Sequence, residues 1–490
     1  MDTLPPEIYW NIFMINTERG DEPLTSLTVI APESDHRLDT ARHCSQVCRL
    51  WRTLLLQFSS VWGRLLHLQN LEHTTDAWME VVASRIGEAS LWITGYVTDS
   101  TRPFIFAILE EKWQNVQVLE IWDESLYSNK VLPTWSFLER EAPNLEEFQL
   151  SKNTRNDFER TARRILPFSP LFRNRAPRLK RFTLWEPFHF SLPTPWMANL
   201  HSVTFFRPRN GPLVLSALKS MPLLRELYVT GGNTLQPMFP AQDGGFDKPH
   251  LPLLESLILD DFYHLMDMII LLESITLAPG QRSLRTLFMP QVYKEDHQRV
   301  HRAITKWIYA YMSASPPRHL SLDEYDQVLT IQDIRVIGEG MQVHIAHDDT
   351  QSHVTIEAIV ASLRYSVVEK LDVVLRDSAP AWPLRPLFEA LHSVTRLEAD
   401  GSYTLFDDIL QFSLFPNLHT VNVLNADETM ILPTVIHFLE QRVLTGSPIS
   451  VLYLSSFPFS DASSWFSDTI KERLSKIPDL SVIVPEDSEF

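Results

Sequence analysis

"PNLEEFQL" (143–150), "PRLKRFTL" (177–184), "ANLHSVTF" (198–205), "PLLRELYV" (222–229), "PLLESLIL" (252–259), "RSLRTLFM" (282–289) and "PNLHTVNV" (416–423) share one pattern. Each reads apolar, two variable residues, apolar, one variable, apolar, and the final alternation is the period of a strand with one buried face. Looser copies follow at "ASLWI", "QNVQVLEI", "RHLSL", "MQVHI", "SVVEKLDV", "HSVTRLEA" and "SPISVLYL". The central apolar residues are Leu91, Leu119, Phe148, Phe182, Val203, Leu227, Leu257, Leu287, Leu320, Val343, Leu371, Leu397, Val421 and Leu452. They recur 21 to 34 residues apart, which suits repeat units. Helical segments such as "VLSALKSM", "DHQRVHRAITKWIYAYMSA", "TIEAIVASLRY", "LRPLFEALH" and "ILPTVIHFLEQRVL" lie between copies. One strand and one helix per unit require parallel strands side by side with helices outside. The expectation is an α/β chain whose residues 71–485 form an irregular solenoid, ending in an acidic tail at 486–490.

Alternation also assigns the two faces of each strand. If the central residues point inward, their neighbours point out. That outward set is Trp92, Trp122, Glu147, Arg181, Trp185, Phe206, Tyr228, Ile258, Phe288, Lys370, Asp372, Arg396, Glu398, Asn422 and Tyr453. Aromatics dominate its first half and charges of both signs its second. A register shift of one residue would exchange the faces. One stretch breaks the rhythm: "TGGNTLQPMFPAQDGGFDKPH" (230–250) stands where a helix is expected and carries an apolar Phe239 suited to burial.

Bulk properties narrow the function classes. A chain of 490 residues exceeds the size of one compact core. With 43 basic and 61 acidic residues the net charge is −18, the wrong sign for tracking phosphates, so no nucleic-acid partner is expected. Two cysteines cannot staple a secreted scaffold, and no Asn-x-Ser/Thr is present. The start, "MDTLPPEIYWNIF", lacks the basic and apolar pattern of a signal peptide, and "HLMDMIILLESITL" is too short and too charged for a bilayer. No membrane association is expected, and the cytoplasm or nucleus is the expected compartment.

The first seventy residues read differently from the rest. Leu4-Pro5-Pro6-Glu7 opens a helix, since proline is tolerated in the first turn and an acid suits its positive end. Ile8, Ile12 and Ile15 mark one apolar face of it. Residues 16–40 read as an inserted acidic, proline-containing loop, with "LTSLTVI" as a short ordered piece. From Ala41 to Leu56 no Gly or Pro intervenes, and Cys44, Val47, Cys48, Trp51, Leu54 and Leu55 form one stripe of a single helix. Val61, Trp62, Leu65 and Leu66 form a second short element. Zinc would need about four ligands, and no second pair accompanies Cys44 and Cys48, so both are expected to pack as small hydrophobes.

"LPPEIYWNIF", "SQVCRLWRTLLLQFSSVW" and "GRLLHL" together resemble an F-box, over residues 3 to 68. The repeats, over residues 85 to 485, resemble a leucine-rich-repeat domain, although the usual Asn or Cys of the repeat turn is missing. The combination is similar to fungal-type F-box proteins with leucine-rich repeats. The resemblance implies a helical module, residues 1–70, that docks on a Skp-family adaptor and through it on a cullin. Leu4, Pro5, Ile8, Ile12, Phe13, Val47, Cys48, Trp51 and Trp62 would form or support that interface. The stretch between Phe13 and Val47 is longer than in compact F-boxes. The repeats would hold a protein substrate for ubiquitination through their concave face, with Trp122, Arg181, Trp185, Phe206, Tyr228, Phe288, Lys370, Arg396 and Tyr453 as contacts.

Signs of chemistry are few. The chain has 14 glycines and neither G-x-G-x-x-G nor G-x-x-x-x-G-K, so a phosphate cradle is not expected; G-x-S-x-G and H-E-x-x-H are also missing. His297 with His301, and His344 with His347, Asp348 and Asp349, lack a distant third ligand and read as solvated surface. No cofactor, metal or catalytic residue is expected. The function implied is recruitment into a ubiquitin ligase, by proximity rather than bond chemistry; the alternative is a repeat scaffold outside any ligase.

Overall fold

The computed structural model describes residues 4–484 apart from 18–36, 73, 124–134, 153–169, 185–191, 233–235, 241–244, 263, 277–282, 289–296, 326–327, 335–339, 347–355, 358, 362–366, 376–383, 401–402, 425–430 and 456–467. The expected segment "LTSLTVI" and the tail 486–490 lie outside them. The architecture is α/β. Contacts divide the chain into two compact units, one holding residues 1–230 and 241–253, the other 231–240 and 254–490. The division therefore does not fall at residue 70.

The first unit opens with helices α1 (Pro6–Ile15), α2 (Arg37–Val47), α3 (Arg49–Gln57) and α4 (Ser59–Arg64). The two-residue strand β1 (Leu66–His67) follows, then α5 (Gln69–Glu72) and α6 (Asp76–Ile86). Strands β2 (Leu91–Val97), β3 (Val116–Asp123), β4 (Glu147–Lys152), β5 (Arg181–Leu184), β6 (Ser202–Phe206) and β7 (Glu226–Gly232) complete it, with α7 (Arg102–Lys112) between β2 and β3 and α8 (Gly211–Leu218) between β6 and β7. β1 to β7 pair in chain order, all parallel. β1 joins the opening helices to this sheet. Gly63 is obligatory there: a Cβ on it would lie 2.4 Å from the Ser90 carbonyl oxygen.

In the first unit's four full copies all three apolar positions of the repeated pattern are buried. Leu145, Phe148 and Leu150 have exposures of 0, 1 and 1%. The central residues Leu119, Phe148, Phe182, Val203 and Leu227 stand opposite one another, in line with Ile93. Phe148 stacks on Phe182 at 5.5 Å, and Trp196 lies 4.8 Å from Phe182, so aromatic rings fill the interior. The residue before each strand bridges to the previous unit: Glu146 N–H donates to Gln117 O, Lys180 to Glu146 and His201 to Lys180. Among the described residues, the connections between β3 and β6 hold 3-10 turns at Ser136–Glu139, Leu171–Asn174 and Pro195–Asn199 where helices are expected.

The second unit holds β8 (Ser256–Phe262), α9 (Leu265–Ser274), β9 (Ser283–Phe288), α10 (His297–Ala314), β10 (His319–Tyr325), β11 (Val328–Asp333) and β12 (Gly340–Ala346). It continues with β13 (Lys370–Val374), α11 (Arg385–Ala390), β14 (Arg396–Asp400), α12 (Tyr403–Gln411), β15 (Thr420–Leu424), α13 (Ile431–Leu444), β16 (Val451–Leu454), α14 (Asp468–Ser475) and β17 (Ser481–Ile483). β13 to β17 run parallel in chain order.

Earlier in this unit the expected order fails. β10, β11 and β12 form an antiparallel meander; β12 then pairs with β9 and β10 with β13, both parallel. "MQVHI" therefore neighbours "RSLRTLF" rather than "RHLSL". The return strand "VLTIQD" alternates half-buried and buried, so both faces of the meander follow from period-2 patterning. Gly340 enters β12 at φ +120, where a Cβ would sit 2.8 Å from the Asp333 oxygen.

The insertion is anchored within this unit. The carboxylate of Asp267, in the first turn of α9, accepts the backbone N–H groups of Met238 and Phe239 at 2.7 and 3.0 Å. Phe239 is 2% exposed, as its apolar character suggested.

Candidate interaction surfaces

The helical head buries a different stripe of α1 from the one its isoleucines mark. Tyr9, Phe13 and Met14 face the interior, whereas Ile8 is 42% and Ile15 64% exposed. Leu4, Val47 and Leu50 are also exposed, at 50, 64 and 40%, and Pro5 lies open beside Leu4. Ile12 and Trp51 are half-buried. Trp51 meets Phe13 edge-on at 5.4 Å and Tyr9 at 6.2 Å, holding α1 against α3. The head thus buries one aromatic seam and leaves five large aliphatic side chains in water.

Two residues assigned to the docking face belong to the interior. Phe13 is 2% and Trp62 4% exposed. Trp62 donates its indole N–H to Leu55 O at 2.9 Å, lies against Trp78 and is covered by the Arg85 guanidinium at 4.6 Å. They can support an interface but cannot touch a partner.

The single helix expected over 41–56 is also two. Cys48 is extended (φ −158, ψ 168) and caps α3, its sulfur accepting the Trp51 N–H at 3.4 Å. Side-chain capping breaks the helix without Gly or Pro. The cysteines do not share a buried environment: Cys48 is exposed, and half-buried Cys44 receives Asn16 Nδ2 at 3.9 Å. Burial raises the Cys44 thiol pKa against a smaller opposing backbone hydrogen bond. α2 begins at Arg37, so the inserted loop ends before residue 40.

On the first unit's sheet, alternation places Trp92, Trp122, Glu147, Arg181, Phe206 and Tyr228 on the face opposite the buried central residues. Tyr96 and Trp122 are in contact at 5.5 Å, and Arg64 covers Trp92 at 4.2 Å. Arg181 is ion-paired with Glu147. Burial works against the Arg181 charge, but Glu147, Glu120 and Glu226 outweigh it and hold the guanidinium above its ordinary range. Trp185 lies outside the described residues.

In the second unit one assignment is overturned. The spacing of "RSLRTLFM" favours Leu287 as the central residue, yet Leu284 stands opposite Leu257. In the backbone register Phe288 pairs with Phe262, while Ile258 pairs with Arg285. Ile258 itself is only 9% exposed.

The charged residues assigned to this face do converge. His319, Lys370, Arg396 and Thr420 form one cross-strand row; Asp372, Glu398, Asn422 and Tyr453 form the row two residues on. Lys370 Nζ lies 3.1 Å from Asp372 and 3.3 Å from Glu398, and His319 Nε2 2.6 Å from Asp372. Between Arg396, Thr420 and Tyr453 is a cleft of about 220 Å³.

Among the described residues, no group of three or more His, Cys, Asp and Glu could hold a metal, and no helix is long and apolar enough to cross a membrane. His344 Nδ1 contacts Thr330 Oγ1 at 2.9 Å. His347, Asp348 and Asp349, and the side chains of His297 and His301, lie outside the described residues. No protein-family model matches the chain, and no curated protein matches it.

Proposed function

We propose that this chain is a non-catalytic, substrate-recruiting subunit of a Skp/cullin-type ubiquitin ligase, with an F-box-like head and an irregular leucine-rich-repeat solenoid working in the cytoplasm or nucleus. The supporting observation is a set of exposed aliphatic side chains: Leu4, Ile8, Ile15, Val47 and Leu50 stay in water while the head buries Tyr9, Phe13 and Leu55. Leaving five large apolar side chains in water costs stability that burial against an adaptor would recover, at roughly 25 cal/mol per Å² covered. The sheet faces, with their aromatic and charged rows, are where a protein substrate would be held.

The test is capture of a purified Skp-family adaptor by the full chain, compared with an Ile8→Asp, Val47→Asp variant. Both side chains are exposed, so the fold should survive. Adaptor retention by the native chain and its loss in the variant would support the reading. A native chain that retains no adaptor would leave the repeat scaffold outside any ligase as the function.

A further inference from the structure

The cleft across β13–β16 has a specificity that goes beyond a general substrate face, and its use rests on the reading that this face holds a protein partner. Each carboxylate beside it is already held from two sides. Asp372 meets His319 and Lys370; Glu398 meets Lys370 and accepts from Asn422 Nδ2 at 3.2 Å. Arg396 differs. It is exposed and makes no ion pair or side-chain hydrogen bond among the described residues, and the Tyr453 hydroxyl also has no hydrogen bond there. The cleft therefore combines a guanidinium and a phenol, both available as donors, with carboxylates already paired to Lys370.

We infer that this cleft takes a carboxylate side chain, Asp or Glu, presented by a partner protein, with Arg396 as its bidentate donor. A guanidinium fork matches a carboxylate in two parallel N–H···O bonds. The volume of about 220 Å³ suits one side chain and lies below the roughly 300–1,000 Å³ of drug-sized ligand sites. Charge selects the monoanion. Lys370 is shared by two carboxylates, so among the described residues lining the cleft Arg396 is the cation without an ion pair. A phosphate dianion would face Asp372 and Glu398 with a single positive group opposing them.

The experiment immobilises the full chain and offers three acetylated, amidated heptapeptide pools with randomised flanks and a central Glu, Gln or phosphoserine. The Glu pool should be retained about tenfold over the Gln pool, the size of one charge-assisted hydrogen-bonded contact. Arg396→Gln should abolish the preference, and Arg396→Lys should restore only part of it because lysine lacks the fork. Lys476→Gln, an exposed charge change elsewhere, should leave it intact. Equal retention of Glu and Gln pools, a preference that survives Arg396→Gln, or a phosphoserine pool retained above Glu would each overturn the inference. Adaptor capture is measured on the same preparations. Its loss alongside an intact Glu preference defeats only the ligase reading; the reverse result defeats only the carboxylate site.

Discussion

The guanidinium of Arg102 lies against the carboxylate of Asp123, with Nη1 at 2.8 and 2.7 Å from its two oxygens and both side chains sealed from water. Arg102 opens α7, and Asp123 ends β3. The pair therefore fixes the angle at which one connecting helix leaves the sheet. Phe106 lies 4.3 Å from the guanidinium and walls the pair off. Removing one partner strands a buried charge, which typically costs about 3–5 kcal/mol, whereas replacing both with apolar groups is often near neutral. Asp123→Leu and Arg102→Met are each expected to lower the urea midpoint strongly, and the double variant to recover most of the loss. Chemical denaturation of the four proteins checks this; additive losses in the double variant would refute it.

A second prediction concerns pH and the insertion. Burial raises the pKa of Asp267, outweighing the backbone N–H groups of Met238 and Phe239 and the nearby His264, which favour the charged form. A carboxyl whose folded pKa exceeds its unfolded value of about 3.9 stabilises the fold most below that value. The contribution falls as pH rises through the raised folded value. The melting temperature of the native chain, measured relative to Asp267→Asn, should therefore improve as the pH drops from 7 towards 4. A difference that is flat, or that favours the native chain increasingly at neutral pH, would contradict the assignment.

The repeats were legible because each strand carries its own proof of register: three apolar residues in a fixed spacing, of which Leu145, Phe148 and Leu150 are all buried. Legibility ended where two phases of a pattern compete. In "RSLRTLFM" the spacing favours Leu287, between Leu284 and Met289, and only pairing with β8 and β12 sets Leu284 opposite Leu257 and Met341. α1 poses the same problem, since Tyr9, Phe13 and Met14 make a second apolar stripe beside the isoleucines. Which stripe is buried depends on Trp51, more than thirty residues away. The meander was hidden for another reason: strand order is a property of pairing, and "MQVHI" carries no mark of its neighbour. At the cleft the residue types were readable from alternation alone. That Arg396 makes no ion pair among the described residues was not, because it follows from Lys370 sitting between Asp372 and Glu398.

The two thiols provide the last prediction, and it also reports on the head. Cys48 is exposed at the start of α3, while Cys44 is half-buried and its thiol is pushed up by that burial. Thiolate is the reacting species, so both accessibility and acidity disfavour Cys44. Under native conditions near pH 8, alkylation should therefore show one fast thiol and one slower by about tenfold or more, and in urea the two rates should converge. Cys48→Ser should remove the fast phase and leave the slow one. Because Cys48 adjoins exposed Val47, adaptor bound over Val47 should slow the fast phase, whereas an adaptor bound elsewhere would leave it unchanged. Mass-spectrometric counting of labelled cysteines over time, with and without adaptor, separates these outcomes. Equal rates in the native chain would mean that the capping geometry at Cys48 does not persist in solution.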